Sequence, residues 1–427
     1  MRVQKDQQAI VIGAGIVGVC TALQLQMRGV QTTIVDRQPP GTGCSYGNAG
    51  VISDSAAGTV ASPGIVWRVP GFLFSKSPPL AINWSYLPAL TPWLYEFIKA
   101  SRRDRYVQNT EHLGRLVVAS SDAYAPLLDV AGAHDLFVTS GALQVYETKE
   151  ALEATTGEIT QRRLQGARVE RIDTKDVSAY APTISNHIAG ALYRPDVQYV
   201  TSPLELVQRL HRSFVSLGGR SEQIDVRKIE KRGQHQWAIQ GVNEAGDHLA
   251  LDAFQHVVVA AGGYSKGLLK PLGVSTFLDV ERGYHVSLAG SQNMLSMPVF
   301  YTEGGFCMTP MKDGLRIAGT VELAGLNAPA NYGRVDAMKA TVKRLIPDIP
   351  TTEGAMWMGM RPSTPDSLPT MGPVSGHDGL HLAFGHGHLG LTLGAITGQL
   401  ITQGICGEPS SIGLHPYRNS RFSRQES

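Results

Sequence analysis

The apolar run 9–12 enters the segment Gly13-Ala14-Gly15-Ile16-Val17-Gly18, and an amphipathic run over 19–28 leaves it. A short unbroken apolar run, a glycine turn and a helical period predict strand, turn and helix. Gly29 closes that helix, 31–35 read as a second strand, and Asp36 stands at its tip. Residues 51–53 are extended, helical periodicity returns over 102–130 and 149–164, and 141–146 read as a strand between them. Ser202 caps a helix with Leu204, Val207, Leu210 and Phe214 on one side, ended by Gly218-Gly219. Strands follow at 224–226, 236–240, 248–252 and 256–260, the last running into Ala261-Gly262-Gly263. From 277 to 322 the pattern is antiparallel, with strands at 284–288, 300–302, 306–309 and 315–318. A helix over 331–345, a strand over 380–384 and a helix over 391–403 complete the chain, without internal repeats.

The first glycine turn carries chemistry. Gly13 permits the tight turn, Gly15 lets backbone approach a pyrophosphate, and Gly18 lets the helix pack on the strand. Ile16 and Val17 open the helix, whose positive end receives the phosphates. Asp36, with Arg37 beside it, sits where an acidic side chain binds a ribose hydroxyl. Strand, helix, second strand and acid together predict a bound dinucleotide without saying which. The loop Gly41-Thr42-Gly43-Cys44-Ser45-Tyr46-Gly47-Asn48-Ala49-Gly50 is dense in small residues, as backbone pressed against a ligand would be. A surface loop is the alternative.

Residues 63–100 are rich in proline and aromatics, among them Trp67, Phe72, Phe74, Trp84, Tyr86, Trp93, Tyr95 and Phe97. They read as a hydrophobic cap over the core or as an interfacial, partner-docking surface. Asn83, Pro88, Pro92 and Glu96 interrupt 78–98 and argue against a membrane span. Arg2 and Lys5 precede small apolar residues as in a signal peptide, but the glycine fingerprint accounts for the same residues. The 427 residues suffice for two or three domains, and 38 Lys+Arg against 36 Asp+Glu give no reason to expect nucleic acid. Cys20, Cys44, Cys307 and Cys406 form no C-x-x-C and read as reduced thiols of a cytoplasmic-type compartment.

The strand 380–384 enters Gly385-His386-Gly387-His388-Leu389-Gly390, formally a second G-x-G-x-x-G, and Leu391 and Thr392 continue into the helix. No further strand follows to complete a second nucleotide unit. The better reading is a helix N-terminus aimed at a group that becomes electron-rich, which favours a flavin over a nicotinamide. The spacing of His386 and His388, with no carboxylate motif, argues against a metal site. The expected architecture is α/β: a discontinuous Rossmann-like FAD-binding domain (1–70, 195–275, 356–427) with an inserted mixed, largely antiparallel α+β substrate domain (71–194, 276–355).

These motifs, with Arg282-Gly283-Tyr284, Gly359-Met360-Arg361-Pro362 and Thr364-Pro365-Asp366, resemble the FAD-dependent amino acid oxidoreductases of the D-amino acid oxidase, glycine oxidase and sarcosine oxidase group. Within that group the likeness is strongest to bacterial D-amino acid dehydrogenases, including those acting on D-proline and D-hydroxyproline. The resemblance implies FAD contacts from Ser45, Asn48, Gly50 and Val51, and adenine held by the backbone of Val226. It also implies contacts from Ala261 and Gly262 and from the turn Gly387, His388, Leu389, Gly390, Leu391 and Thr392. Arg361 matches an arginine that grips the substrate carboxylate, a role its planar fork suits; a structural salt bridge is the alternative. Tyr284 and Tyr301 are candidates to bond the carboxylate or amine, or are plain sheet aromatics. Asp36 stands where most relatives have Glu, and Gly359 where sarcosine oxidases carry the flavin-linking cysteine, so a non-covalent FAD is expected.

The implied reaction is oxidation of an amino acid's Cα–N bond by hydride transfer to flavin N5, giving an imine or 2-oxo acid. Electrons pass to a quinone or another acceptor. An oxygen-using glycine- or sarcosine-type oxidase and a non-catalytic FAD-binding subunit are the alternatives. Cytoplasmic location, with peripheral contact at the inner face of the membrane, follows as an expectation; homo- or hetero-oligomerisation is left open.

Overall fold

The computed structural model describes residues 7–56, 58–73, 80–185, 187–233, 236–351 and 353–422. Arg2, Lys5, Phe74 and Pro78 lie outside them, as does the side chain of Phe72. Two sheets organise the molecule. The first has the order His248–Phe254, Trp237–Asn243, Arg220–Lys231, Gln31–Asp36, Gln8–Ile12, His256–Val259, Leu380–Phe384, Thr370–Pro373. Its centre is parallel: Ile10 pairs with Thr33 on one side and Val257 on the other. Ala9, Val11, Ile34 and Val258 face a helical layer, while Ile10, Ile12, Val35 and Val257 face the opposite core under Trp237 and Ile239. Both faces are covered, which is why the central strands read as unbroken apolar runs.

The helical layer is built on Ile16–Met27 and Gly390–Cys406. They approach closely because Gly394 and Gly398 leave no side chain between them: a Cβ at Gly398 would lie 2.9 Å from the Cys20 carbonyl oxygen. Gly387–Cys406 is long and apolar enough to cross a membrane by composition, but 72% of its most apolar window is buried inside the fold. It is a core helix.

The second sheet runs Ala355–Ser363, Asp279–Leu288, Gly314–Leu323, Phe306–Met311, Val299–Tyr301, Ala142–Tyr146, Gly190–Arg194, Glu170–Asp173, with Leu80–Ile82 added beside Gly314–Leu323. It is largely antiparallel, as expected. One face packs on the helix Gly333–Leu345 through Tyr284, Val286, Ile317 and Val335; the other faces a cavity.

Two segments pack differently from their sequence assignment. The edge strand Ala355–Ser363 pairs along the whole of Asp279–Ser287, so residues up to 363 belong to the second sheet. The expected helix over 102–130 is two helices, Arg103–Val118 and Ser120–Ala131, and Leu113, Leu116, Tyr124 and Leu127 bury in the core of the first sheet. Periodicity shows that a helix buries a stripe, not which sheet receives it. The strand expected at 224–226 extends over Arg220–Lys231; its first half is largely exposed and polar, which hid its length.

Candidate active site

A cavity of about 1600 Å³ is lined by the glycine turns of the first sheet and by the open face of the second. That exceeds the roughly 300–1,000 Å³ of an ordinary small-ligand pocket, and leaves room for a dinucleotide with a small substrate.

At the first turn each glycine has a separate cause. A Cβ on Gly13 (φ +115°) would lie 2.3 Å from the Ala260 carbonyl oxygen, and one on Gly18 would lie 1.8 Å from that of Gly13. Gly18 therefore sets helix–strand packing and does not line the cavity, whereas Gly13, Gly15, Ile16 and Val17 do. A Cβ on Gly15 would meet only the Ser45 hydroxyl, at 3.3 Å. That hydroxyl accepts from the Ile16 amide at 2.9 Å and so satisfies one of the helix's orphan donors. Asp36 ties its strand to the turn: its carboxylate accepts from the Ala14 amide at 2.7 Å and the Gln38 amide at 2.9 Å. Each carboxylate oxygen keeps lone-pair capacity for a ribose hydroxyl. The Arg37 guanidinium lies 3.8 Å from the centre of the Tyr264 ring.

The small-residue loop is anchored rather than loose. Arg316 donates to the carbonyl oxygens of Tyr46 at 2.7 Å and Asn48 at 3.1 Å. The Trp357 ring lies so close to Gly47 and Gly359 that a Cβ on either would come within 1.8 Å of it. Asn48 and Val51 line the cavity. Gly50 does not: at φ +78°, its Cβ would strike Met311 and the Val200 carbonyl, so it serves packing. Val226 lines the cavity at a register shift between Val226 and Lys228, beside Ala261 and Gly262 from the turn after His256–Val259.

The C-terminal turn brings Gly387, His388, Leu389, Gly390 and Leu391 to the cavity wall. No side chain of the N-cap residue Leu389 bonds the helix start, which leaves its N–H groups for a ligand. Thr392 is not at the wall; it is buried, accepts from the Ser53 amide at 3.2 Å and donates to the Val51 carbonyl. His386 is buried against the Thr397 hydroxyl at 2.9 Å, and burial pushes its pKa down to about 3. His388 lines the cavity with part of its surface exposed; desolvation by the surrounding wall, with the Arg361 cation nearby, pushes its pKa down to about 4.

Arg361 faces the cavity from the edge strand. Its guanidinium lies over Gly283, where any Cβ would fall 2.2 Å from Nη2, and donates to the Thr320 carbonyl at 2.9 Å. Among the described residues it forms no ion pair, so the salt-bridge alternative has no partner there.

Of the two tyrosines, Tyr301 lines the cavity and Tyr284 does not. Tyr284 and Arg282 sit on the opposite face of their strand from Glu281 and Gly283, because successive side chains alternate. The Tyr284 hydroxyl bonds Glu322, and burial with that bond raises its pKa to about 12. Arg282 is spent on the carbonyls of Gly325, Ala328 and Pro329. Tyr301 reaches the cavity edge, but its ring packs in the second core and its hydroxyl bonds Glu147. Phe300, its neighbour, takes the cavity side between Gln144 and Cys307. Sequence reasoning passed over Glu281 and Phe300; strict alternation from Gly283 and from Tyr301 was the signal that pointed to them.

The fold and site define a flavin-dependent oxidoreductase. Residues 8–404 match the family described as DAO, FAD dependent oxidoreductase, and the chain belongs to that family. The chain is 32% identical over 438 residues to D-amino acid dehydrogenase 2 of Ralstonia nicotianae, covering 97% of this chain and 100% of that protein. It is 30% identical over 425 residues to the D-amino-acid oxidase of Bradyrhizobium diazoefficiens, covering 98% and 99%. Among solved structures, glycine oxidase from Geobacillus kaustophilus shares the fold with a TM-score of 0.73 at 21% identity, covering 97% of this chain and 99% of that one. The residues present fit FAD. Gly15 keeps backbone open to a pyrophosphate, Asp36 and Val226 border the same end, and an uncapped helix start faces the other.

Proposed function

We propose that the protein oxidises the Cα–N bond of D-amino acids, D-proline and D-hydroxyproline included, and acts as a dehydrogenase. The names of its relatives support the substrate class. One observation carries the site: Arg361, held by backbone carbonyls over Gly283, offers its remaining N–H groups to the cavity with no acidic partner among the described residues. A fixed fork of this kind binds a carboxylate bidentately. Bound FAD supplies the two-electron oxidant that takes the Cα hydrogen as hydride. The chain's own work is to orient the substrate and to exclude water. His388, neutral at the cavity wall, adds no competing positive charge. Gly359 offers no thiol at the position where sarcosine oxidases carry the flavin-linking cysteine, which supports non-covalent binding of the cofactor.

Arg361→Lys keeps the charge and loses the fork; Arg361→Ala loses both. Leaving a carboxylate unpaired in an enclosed site costs several kcal/mol, so Ala should lower kcat/KM by at least about 100-fold, with Lys between. FAD content should stay at wild-type level. A folded, flavin-loaded Arg361→Ala with near-normal activity would remove the anchor.

A second reading, an oxygen-using oxidase, is favoured by the Bradyrhizobium relative's name. Oxygen uptake equal to dye reduction under the same turnover would establish it.

The aromatic stretch supports a docking role at the cavity mouth. Val66 and Ile98 line the cavity yet are 44% and 51% exposed, and Trp67 and Trp84 are 87% and 66% exposed. Exposed Arg102, Arg103 and Arg105 follow, with exposed Asp104 among them paired to Arg102 at 3.4 Å. Aromatic and basic residues together suit an anionic membrane surface, from which a quinone could be reached. Absence of cosedimentation with anionic liposomes would reduce the stretch to a cap.

A further inference from the structure

The cavity has a carboxylate that no part of the account so far employs. Among the described residues, four acidic side chains line it: Asp36, Glu158, Asp225 and Glu281. Asp36 is engaged by backbone amides at the first glycine turn, Glu158 pairs with Arg162 at 3.0 Å, and Asp225 pairs with Arg227 at 2.6 Å. Glu281 forms no ion pair among the described residues. It accepts one hydrogen bond, at Oε1, from the Ser363 hydroxyl at 2.7 Å.

Its position is set by register. Glu281 is the direct cross-strand partner of Arg361, Gly283 pairs with Gly359, and Asp279 pairs with Ser363. Directly opposite residues share one face of a sheet, with Cβ atoms roughly 4.5–5.5 Å apart. The two side chains then diverge along the strands. Arg361 leans over Gly283 towards Gly319 and Thr320, while Glu281 leans towards Ser363. Cation and anion therefore stand on one face, both opening into the cavity, and each is held by a partner other than the other. That arrangement is complementary to a zwitterion.

We propose that Glu281 receives the amino group of the substrate, so that Arg361 and Glu281 together recognise a 2-amino acid by both of its charged groups. This rests on the reading of Arg361 as the carboxylate anchor. The ammonium donates to Glu281 Oε2, the oxygen the Ser363 bond leaves over, and the pair sets which way Cα is turned. Glu281 is a specificity-determining residue: it separates 2-amino acids from 2-hydroxy acids of the same shape. A hydroxyl offers one neutral donor where an ammonium offers charged ones, three in a primary amino acid and two in a proline.

Glu281→Gln tests this. The amide keeps the shape and an oxygen for the Ser363 bond, and it removes the charge. The probes are D-alanine paired with D-lactate, and D-proline paired with tetrahydrofuran-2-carboxylate. Binding is read from the perturbation of the flavin spectrum under anaerobic conditions and, for the amino acids, from the concentration dependence of flavin reduction. A hydrogen bond to a charged group is worth enough that the amino acids should bind about 10- to 100-fold more weakly. The amino-free analogues should bind within about twofold of wild type, since their one anchor is untouched. Equal weakening of both classes would mean that Glu281 only supports the fold, and no change in either would mean that the amine is held elsewhere; both overturn the proposal. Arg361→Lys separates this failure from failure of the anchor. If it leaves the binding of D-lactate and tetrahydrofuran-2-carboxylate unchanged, the carboxylate reading falls, whatever Glu281→Gln does.

Discussion

The two glycine turns carry the same spacing, Gly13-x-Gly15-x-x-Gly18 and Gly385-x-Gly387-x-x-Gly390, and use it for opposite ends. In the first, the outer glycines are filled space: their Cβ positions lie 2.3 Å from the Ala260 oxygen and 1.8 Å from the Gly13 oxygen. The middle one faces the cavity. In the second, the last two glycines meet nothing tight: no atom lies within 4 Å of a Cβ on Gly387, and the nearest to one on Gly390 is the His386 Cβ at 3.8 Å. Only Gly385, at φ +82°, is crowded, by the Thr364 methyl at 2.7 Å. The first turn presses a helix onto a strand and leaves a cradle. The second leaves a helix start open, while its own helix does its close packing further along, at Gly394 and Gly398. A motif of this kind specifies a chain path, and what each glycine is for depends on its neighbours.

The contrast can be broken by substitution. The largest effect belongs to Gly18→Val. The new side chain would collide with backbone that has nowhere to move, beyond the roughly 1–3 kcal/mol of ordinary overpacking. Little folded protein should be recovered, and a normal thermal melt would show that the helix does not need this contact. Next is Gly15→Val. Its Cβ meets only the Ser45 hydroxyl, so the circular dichroism of the folded chain should persist while FAD content falls by about tenfold or more, since backbone approach to the pyrophosphate is blocked. FAD is measured in the supernatant after acid precipitation, where the wild type should release it if binding is non-covalent, as the glycine at 359 supports. Full occupancy in the variant would move the phosphate site elsewhere. The smallest effect is expected for Gly390→Ala. Gly390 is the first residue of its helix and the space around its Cβ is open, so alanine should be tolerated and the melting temperature should hold. A loss on the scale of Gly18→Val would make the two turns alike after all.

The path of the first turn was legible because strand, glycines, helix and acid are contiguous, but Gly18, also counted among the cofactor contacts, serves packing and does not reach the cavity. The second was legible as a helix start, with Thr392 misplaced at the wall: its hydroxyl is consumed by Val51 and Ser53, more than 300 positions away. Arg361 stood out by its match to the carboxylate-binding arginine of the family it resembles, with its planar fork and constrained setting in agreement. Tyr284 and Tyr301 were chosen by type alone; alternation turns Tyr284 away from the cavity, while Tyr301 lines it with its hydroxyl engaged by Glu147. The helices at Arg103–Val118 and Ser120–Ala131 went to the wrong sheet because their partners come from distant parts of the chain.

The most direct test of the central claim is anaerobic mixing of the FAD-loaded protein with a panel of D- and L-amino acids, both proline isomers and the 4-hydroxyprolines included, followed by the flavin absorbance. Bleaching by one or more D-amino acids is expected, slower by at least about 100-fold at limiting substrate in Arg361→Ala. A flavin that stays oxidised with every member of the panel, or bleaches equally fast without Arg361, would contradict it.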